Sequence, residues 1–320
     1  SNMVQVSAYE YDSNGVGNGN LTKNTALVGI GTDRVNQFAY DFRDRPVASK
    51  NGVETIESES TNRPVMYQVY DNMGRVTSRS QYDGDGVSIQ TDANNDGTPD
   101  MPDASRRRRL SNTLYDNQSR VFRSEEILVD QSTGAAGSIK LQNEAWYDKR
   151  GNSIQMAVAN GPATQMRTDG AGRRSVAYVL GNIPSGSWSA AGSVSSAIVL
   201  SQQESIYDAN GNVIQMIGRE RFHDADPTAT GALGTASSGI RARVSTSTTY
   251  FDAADRVFAL VDLGTNGGVA YTRPATPPAA TDAALVSLYE YDTAGRLANM
   301  TNPRGNLALY LQQPESTAHD

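Results

Sequence analysis

The fold of this chain is decided by a heptad that begins at an aromatic residue: Tyr70-Asp71-Asn72-Met73-Gly74-Arg75-Val76. Two other copies are nearly as complete, and they span Tyr207–Val213 and Tyr291–Leu297. More divergent copies keep the same frame, and they begin at Tyr11, Tyr40, Tyr115, Tyr147, Thr168 and Phe251. Successive copies lie between 21 residues (Tyr147 to Thr168) and 45 residues (Tyr70 to Tyr115) apart. Self-similarity along most of a chain indicates a repeat architecture.

The residue types of the heptad are those of a tight turn between antiparallel strands. The aspartate can accept a hydrogen bond from the backbone two residues on, and the glycine supplies the left-handed conformation of a type I turn with a bulge. Asp44, Asp255 and Ser119 stand in the glycine position of three copies, and Asp tolerates a positive φ better than Ser. In the Tyr11 copy we assign this position to Gly15.

The residues around each heptad alternate in polarity as strands do. Val65–Tyr70 precedes one turn with an apolar residue at alternate positions, and Val76 opens the segment that follows it. Each copy therefore predicts one β-hairpin. We expect the Arg or Asn after the glycine to cross the turn and to meet the aspartate or a neighbouring hairpin.

The irregular spacing requires insertions between the hairpins. We place them near residues 83–109, 181–199, 224–240 and 264–284, and we expect loops that bulge outward from a common sheet. Within the last loop, Thr281–Leu288 suggests a short helical turn. We interpret residues 1–2 as a tag-cleavage scar, residues 3–311 as one continuous repeat array and residues 312–320 as a flexible tail.

Composition excludes several classes of function. The 320 residues carry a net charge of −7, which disfavours binding to nucleic acids or to anionic membranes. The absence of cysteine excludes disulfides and thiol chemistry, and a bacterial origin fits this better than a eukaryotic secreted one. No apolar run approaches the ~18–20 residues of a membrane span. Arg106–Arg109, the one basic run, is expected to begin a strand.

The repeated aromatic-Asp-x-x-Gly-Arg-Leu/Val unit, from Tyr11 to Leu297, resembles the YD repeats (Rhs repeats) of bacterial Rhs proteins, toxin-complex C components and teneurins. The resemblance implies an all-β fold in which antiparallel hairpins form a curved, spiralling sheet. In complete members this sheet closes into a shell around a toxin or another C-terminal domain. The Asp-Pro-containing self-cleavage signature that ends such shells is not recognisable after Arg304, and about nine hairpins are too few for a closed shell. We therefore expect an open part of a shell.

A second motif lies between the copies at Tyr70 and Tyr115. Counted from Asp92 as position 1, oxygen-bearing side chains fall at positions 1, 3, 5, 9 and 12, a glycine at position 6, and a backbone carbonyl is expected from position 7. The predicted calcium ligands are Asp92, Asn94, Asp96, Thr98, Asp100 and Asp103. The run resembles the calcium loops of thrombospondin type 3 and dockerin modules, although the last position is Asp where an EF-hand has Glu. A solvated Asp-rich loop without a metal is the alternative interpretation.

The leading functional hypothesis is a non-enzymatic structural segment of a large bacterial protein that is secreted or lies at the cell surface. Its partners would be other parts of the same full-length polypeptide, including an encapsulated toxin domain. The first alternative is a calcium-dependent adhesive module that binds glycans or surface proteins. A polysaccharide-active hydrolase is the second alternative, since each repeat supplies an aspartate, but the sequence singles out no carboxylate pair and no catalytic residue.

Overall fold

The structure is a computed structural model that describes residues 5–12, 18–27, 33–53, 63–182, 191–304 and 307–309. The predicted tag scar, the predicted tail and Gly15 lie outside these residues. The chain divides into two compact units, Ser1–Glu144 and Ala145–Asp320, which are described separately below. Within the described residues, no helix is long and apolar enough to cross a bilayer.

The first unit is an antiparallel meander in which each strand pairs with the next strand along the chain. Its strands are β1 (Ser7–Tyr11), β2 (Leu21–Ala26), β3 (Arg34–Tyr40), β4 (Pro46–Val53), β5 (Pro64–Tyr70), β6 (Val76–Asp83), β7 (Arg107–Tyr115), β8 (Val121–Val129) and β9 (Ala136–Tyr147), the last of which contains the division between the units. A single 3-10 turn, Ala104–Arg106, precedes β7. Most of the basic run therefore begins a strand, as predicted.

The second unit repeats the same arrangement. Its strands are β10 (Ser153–Ala157), β11 (Ala163–Thr168), β12 (Arg174–Leu180), β13 (Val199–Tyr207), β14 (Val213–Arg221), β15 (Ala242–Phe251), β16 (Val257–Asp262), β17 (Leu285–Tyr291), β18 (Leu297–Thr301) and β19 (Leu307–Leu309). A 3-10 turn, Asn266–Gly268, follows β16. The prediction of an all-β fold made of antiparallel hairpins is confirmed, while the extent of one array over residues 3–311 stays a prediction.

The heptads form the hairpin turns, as the sequence predicted. In the turn at Asp71, the backbone N–H of Asp71 donates to the carbonyl of Arg75 at 2.9 Å, and that of Gly74 donates back to the carbonyl of Asp71 at 3.0 Å. Gly74 has φ +79°, and the pairing register shifts by one residue between Val69 and Tyr70. This is the predicted type I turn followed by a bulge. Asp44, Ser119 and Asp255 adopt the same left-handed conformation at the glycine position.

The first copy of the motif differs from the prediction. The backbone N–H of Asp12 donates to the carbonyl of Asn20 at 2.9 Å, and the carboxylate of Asp12 accepts the backbone N–H of Gly19. Gly19 has φ +82° and therefore holds the glycine position that the sequence analysis gave to Gly15. The turn is longer than the other turns, and sequence spacing alone cannot say which of several nearby glycines closes it.

Where the structure describes the inserted segments, they pack against the sheet instead of bulging outward as predicted. In the first unit, the segment between β6 and β7 folds back over the sheet and buries Ile89 against Tyr67 and Tyr82. In the second unit, the segments after β12 and β14 contribute Val194 and Leu233 to a cluster. A single-layer sheet cannot bury an apolar face alone, so each insertion supplies the missing cover. We call the face under the insertions the covered face.

The segment after β16 covers the sheet in the same way. Tyr271 packs against a cluster that contains Tyr250 and Val261, and Arg273 lies 4.0 Å above the ring of Tyr250. The predicted helical turn at Thr281–Leu288 is wrong, because β17 begins at Leu285 and an isolated antiparallel bridge joins Thr281 to Ala284.

Candidate functional site

The candidate site is the row of turn side chains, and its first element is the aspartate of each heptad. Oδ1 of Asp71 accepts the backbone N–H groups of Met73 and Arg75, both at 2.9 Å, and Oδ2 accepts Nε of Arg75 at 2.7 Å. The same Arg Nε to Asp Oδ2 bond, at 2.7–2.9 Å, recurs at Asp41–Arg45, Asp116–Arg120, Asp169–Arg173, Asp252–Arg256 and Asp292–Arg296. At Asp148 and Asp208 the amide of Asn152 or Asn212 takes the place of the guanidinium. Both oxygens of the aspartate are thus engaged within the turn.

These contacts favour the ionised aspartate. Burial alone would raise the pKa of Asp41, but hydrogen bonds from the side chain and backbone of Arg45 and from the backbone of Arg43 outweigh it and lower that pKa. In the more open turn at Asp252, the hydrogen bond from the Arg256 side chain is the main cause of a lowered pKa. Asp41 and Asp252 are therefore acceptors held in the charged form, which is the opposite of what a general acid requires.

The arginine of one turn also contacts the tyrosine of the next turn. The guanidinium of Arg45 lies 4.4 Å from the ring centroid of Tyr70, and the hydroxyl of Tyr70 donates to the carbonyl of Pro46 at 2.8 Å. The same two contacts join Arg75 to Tyr115, Arg173 to Tyr207 and Arg256 to Tyr291. We call this set of contacts the arginine joint. It links two hairpins that are neighbours in the sheet, and each stacked pair adds a cation–π attraction to the strand pairing.

Two turns use a different contact, which we call the asparagine joint. Asn18 and Asn20 both donate to Oδ1 of Asp44 at 2.8 Å. Asn210 and Asn212 donate to Oδ1 of Asp255 at 2.9 and 2.8 Å. The sequence Asn-Gly-Asn in one turn is thus followed, in both instances, by Asp in the glycine position of the next turn.

The joints explain why Asp or Ser replaces glycine in the glycine position of three turns. Asp44 and Asp255 accept hydrogen bonds from the amides of the preceding turn, and Oγ of Ser119 accepts one from Nη1 of Arg75 at 3.0 Å. Each non-glycine residue in this position therefore receives a bond from its neighbour. The sequence does contain a signal for this joint, because each Asn-Gly-Asn turn is followed by a turn with Asp in the glycine position. Without the strand register, however, the asparagines of one turn could not be matched to the aspartate of the next.

The predicted calcium segment lies between β6 and β7, on the covered face of the first unit. Tyr67 donates its hydroxyl to the carbonyl of Pro99, and Nζ of Lys50 donates to the carbonyl of Val87 at 2.7 Å. Burial is the main cause that raises the pKa of Tyr67 to about 12. Gly97 has φ +78°, and a Cβ there would lie 2.9 Å from Cβ of Phe42. The glycine therefore has a packing role that is independent of any metal.

Three of the predicted ligands share one tight turn. Asp92 accepts the backbone N–H of Gly97 at 2.9 Å, Asn94 accepts that of Asp96 at 2.9 Å, and Asp96 accepts that of Thr98 at 2.8 Å. Side-chain oxygens that would bind calcium therefore accept hydrogen bonds from backbone N–H groups of the same loop.

Two further predicted ligands, Asp100 and Asp103, also accept hydrogen bonds from nearby residues, and Thr98 donates its backbone N–H to Asp96. Asp100 accepts the backbone N–H of Ala93 at 2.8 Å, which closes the loop. Asp103 caps the 3-10 turn through the hydroxyl and backbone of Ser105, and these bonds lower its pKa. Among the described residues, no group of three or more His, Asp or Glu side chains is placed where it could hold a metal ion. Calcium binding stays a prediction.

Comparison with known proteins gave matches among solved structures only. No family model matches the chain, and no curated protein matches it. The matching structures include TcdB2-TccC3-Cdc42 (10% identity over 89% of this chain and 16% of that chain, TM-score 0.27) and TcdB2-TccC3 (15% identity over 96% and 15%, TM-score 0.26). They also include the Photorhabdus luminescens Tc holotoxin pore (13% identity over 88% and 18%, TM-score 0.21). The chain thus spans about a sixth of the length of these chains, and the TM-scores are too low to support a functional assignment.

Proposed function

We propose that this chain is a non-enzymatic structural segment of a large bacterial YD-repeat polypeptide, in which successive hairpins are fastened by their turn side chains into a wall. The wall forms part of a shell or scaffold that encloses or presents another part of the same polypeptide, such as a toxin domain. The polypeptide is secreted or lies at the cell surface.

The observation that carries this proposal is that the charged and aromatic side chains of the repeat bond to one another within a turn and between neighbouring turns. They are therefore engaged in holding the hairpins together. In the turns from Asp41 to Asp292 the motif aspartate bonds the side chain of an Arg or Asn of its own turn, as Asp252 bonds Arg256. In the arginine joints the arginine also stacks on the next tyrosine, as Arg256 does on Tyr291. A hydrolase would need a carboxyl group with a raised pKa beside a second, free carboxylate. The motif instead supplies carboxylates with lowered pKa, each bonded within its own turn.

The same contacts bear on the adhesive alternative. A glycan-binding surface built from tyrosines requires exposed ring faces, whereas Tyr70, Tyr115, Tyr207 and Tyr291 each carry a guanidinium over the ring and donate their hydroxyl to a backbone carbonyl. The motif tyrosines therefore favour a structural role. An adhesive role would have to use the inserted segments.

Limited proteolysis of the full-length polypeptide tests the proposal. We expect the enclosed domain to resist protease until the wall is cut, and Arg256→Ala to expose it sooner because one arginine joint is lost. Arg241→Ala is the matched control, since the contacts of the Arg241 side chain with Asp224, Phe222 and the carbonyl of Ala236 all lie within its own insertion. If the enclosed domain were cleaved as fast in the intact polypeptide as in isolation, enclosure would be contradicted.

A further inference from the structure

The face of the first unit opposite the covered face carries a small apolar notch. Val65 and Tyr67 of β5 are buried under the insertion, so Met66 between them points to the opposite face, where it is 39% exposed. Ser49 of β4 lies opposite Met66 in the register, and Phe38 of β3 lies opposite Ser49. The short side chain of Ser49 therefore stands between two large apolar side chains whose strands are about 10 Å apart.

The notch has the size of a small organic group. Its volume is about 160 Å³, and its apolar lining consists of Phe38, Met66 and Tyr67 together with residues 46–48 of β4. An apolar cavity of roughly 150 Å³ accepts a molecule of the size of benzene. One aromatic ring or a short alkyl chain therefore fits between the side chains of Phe38 and Met66.

One end of the notch is polar and positively charged. Gln68 and Arg79 belong to its lining, and they lie opposite each other in the register of β5 and β6. The amide of Gln68 is already engaged, because it donates to the carbonyl of Pro46 and to the hydroxyl of Tyr70. Arg79 is exposed, and within the part of the chain that the structure describes its guanidinium pairs with no carboxylate and donates no hydrogen bond.

Another arginine on the same face shows what Arg79 is suited to bind. Arg109 lies opposite Gln81, which in turn lies opposite Met66, so Arg109 points to the same side of the sheet. It bonds the carboxylate of Glu126 twice, at 3.1 and 2.9 Å. A planar guanidinium binds a carboxylate through two parallel hydrogen bonds, and a carboxylate brought by a ligand would give Arg79 the partner that Glu126 gives Arg109.

We propose that the notch binds an organic carboxylate whose apolar body has the size of one aromatic ring, with the body between Phe38 and Met66 and the carboxylate on Arg79. The ligand is an anion because Arg79 is the one charged residue among the described residues that line the notch. The notch is too small for a length of peptide backbone, so the occupant is a small molecule. One ring and one ion pair in an open site give an affinity on the order of 10⁻⁴–10⁻³ M. This binding role is additional to the structural role of the chain and does not depend on it.

NMR titration of the complete chain with phenylacetate tests the proposal, with the backbone amide shifts of Ser49 and Met66 as the readout. We expect both amides to shift and to approach saturation in the millimolar range. Phenylacetamide has the same body without the charge and should bind about tenfold more weakly, because the ion pair is lost. Acetate has the charge without the body and should shift neither amide.

Three variants assign the contacts. Arg79→Gln should weaken the binding of phenylacetate about tenfold and leave that of phenylacetamide nearly unchanged, because only the carboxylate contacts the guanidinium. Arg109→Gln is the matched control, since Arg109 is an exposed arginine that already bonds Glu126, and it should change neither affinity. Ser49→Leu fills the notch and should remove the binding of both probes. Far-UV circular dichroism of each variant should match that of the unchanged chain.

Three results would overturn the proposal. The first is the absence of any shift at Ser49 and Met66 up to about 10 mM phenylacetate, well above the expected dissociation constant. The second is equal weakening by Arg79→Gln and Arg109→Gln, which would indicate a non-specific attraction to the arginines of this face. The third is undiminished binding to a folded Ser49→Leu chain, since the ring would then lie outside the notch. None of these results bears on enclosure, which proteolysis tests separately.

Discussion

Replacing Arg45 by alanine removes the most enclosed of the turn joints, and its cost can be worked from the contacts. Arg45 is 23% exposed and bonds Asp41, whose side chain is 2% exposed. The guanidinium also lies over the ring of Tyr70 at 4.4 Å and contacts the carbonyl of Asp71 at 3.3 Å. Loss of a charge-assisted bond to a buried carboxylate, of a cation–π contact and of one weak hydrogen bond predicts a destabilisation of about 3 kcal/mol.

The assay is equilibrium unfolding followed by near-UV and far-UV circular dichroism, with the melting temperature as a second readout. For a unit of this size, 3 kcal/mol corresponds to a fall of roughly 10 °C. Arg45→Lys should recover less than half of the loss, because an ammonium group provides neither the planar stack nor the bidentate fork. The double-mutant cycle with Tyr70→Ala should give a coupling of about 1 kcal/mol.

The matched control is Arg109→Ala in the same unit. Arg109 makes two bonds to Glu126, at 3.1 and 2.9 Å, but both side chains are largely exposed. Exposed pairs contribute about 0–1 kcal/mol, so this variant should melt close to the unchanged protein. If Arg45→Ala and Arg109→Ala differed by less than about 0.5 kcal/mol, the joint would be no more than a surface ion pair, and the reasoning would be refuted.

Further predictions concern the asparagine joint, acid stability and calcium. Asp255→Asn keeps a residue that tolerates a positive φ but loses the charged acceptor, so it should lower stability by about 1 kcal/mol in denaturant unfolding, whereas no change would show that the joint is incidental. Asp252 and Asp292, for example, have a lowered pKa in the folded state, so their contribution to stability is present above the unfolded pKa of about 3.9 and is lost as pH falls further; acid titration of Asp252→Asn should show a shallower loss of stability than the unchanged chain, and an equal slope would contradict this. Calcium at several millimolar should raise the melting temperature if residues 92–103 bind it, with an affinity in the ~10⁻⁴–10⁻³ M range. Asp96→Ala should abolish that shift, and the absence of both heat and shift in calorimetry would end the calcium hypothesis.

The positions of the turns could be predicted from the sequence because the turn chemistry is local. Asp71 and Gly74 lie within one hydrogen-bonded loop, so their spacing is fixed by backbone geometry. The placement of the insertions could not be predicted in this way. Ile89 and Leu233 reach the covered face through contacts with strands far along the chain, and a loop composition rich in Gly, Ser and Asp does not show which apolar residue will serve as cover.

The candidate site was predicted in part. The expectation that Arg or Asn would meet the aspartate or a neighbouring hairpin is confirmed, since Arg173 contacts both Asp169 and the carbonyl of Asp208. The choice between the two joint types was missed, because it depends on pairing each turn with the next across insertions of unequal length. Asn212 and Asp255 are 43 residues apart, and only the strand register brings them together.

The most direct test of the central claim, that the turn side chains fasten one hairpin to the next, is hydrogen exchange at the turn amides of Arg256→Ala. In the unchanged chain, Arg256 bonds Asp252 in its own turn and lies 4.6 Å from the ring of Tyr291 in the next. We predict that the amides of Asp292 and Gly295 exchange faster in the variant, together with those of the 252–256 turn. Faster exchange confined to residues 252–256, with the next turn as protected as before, would contradict the claim.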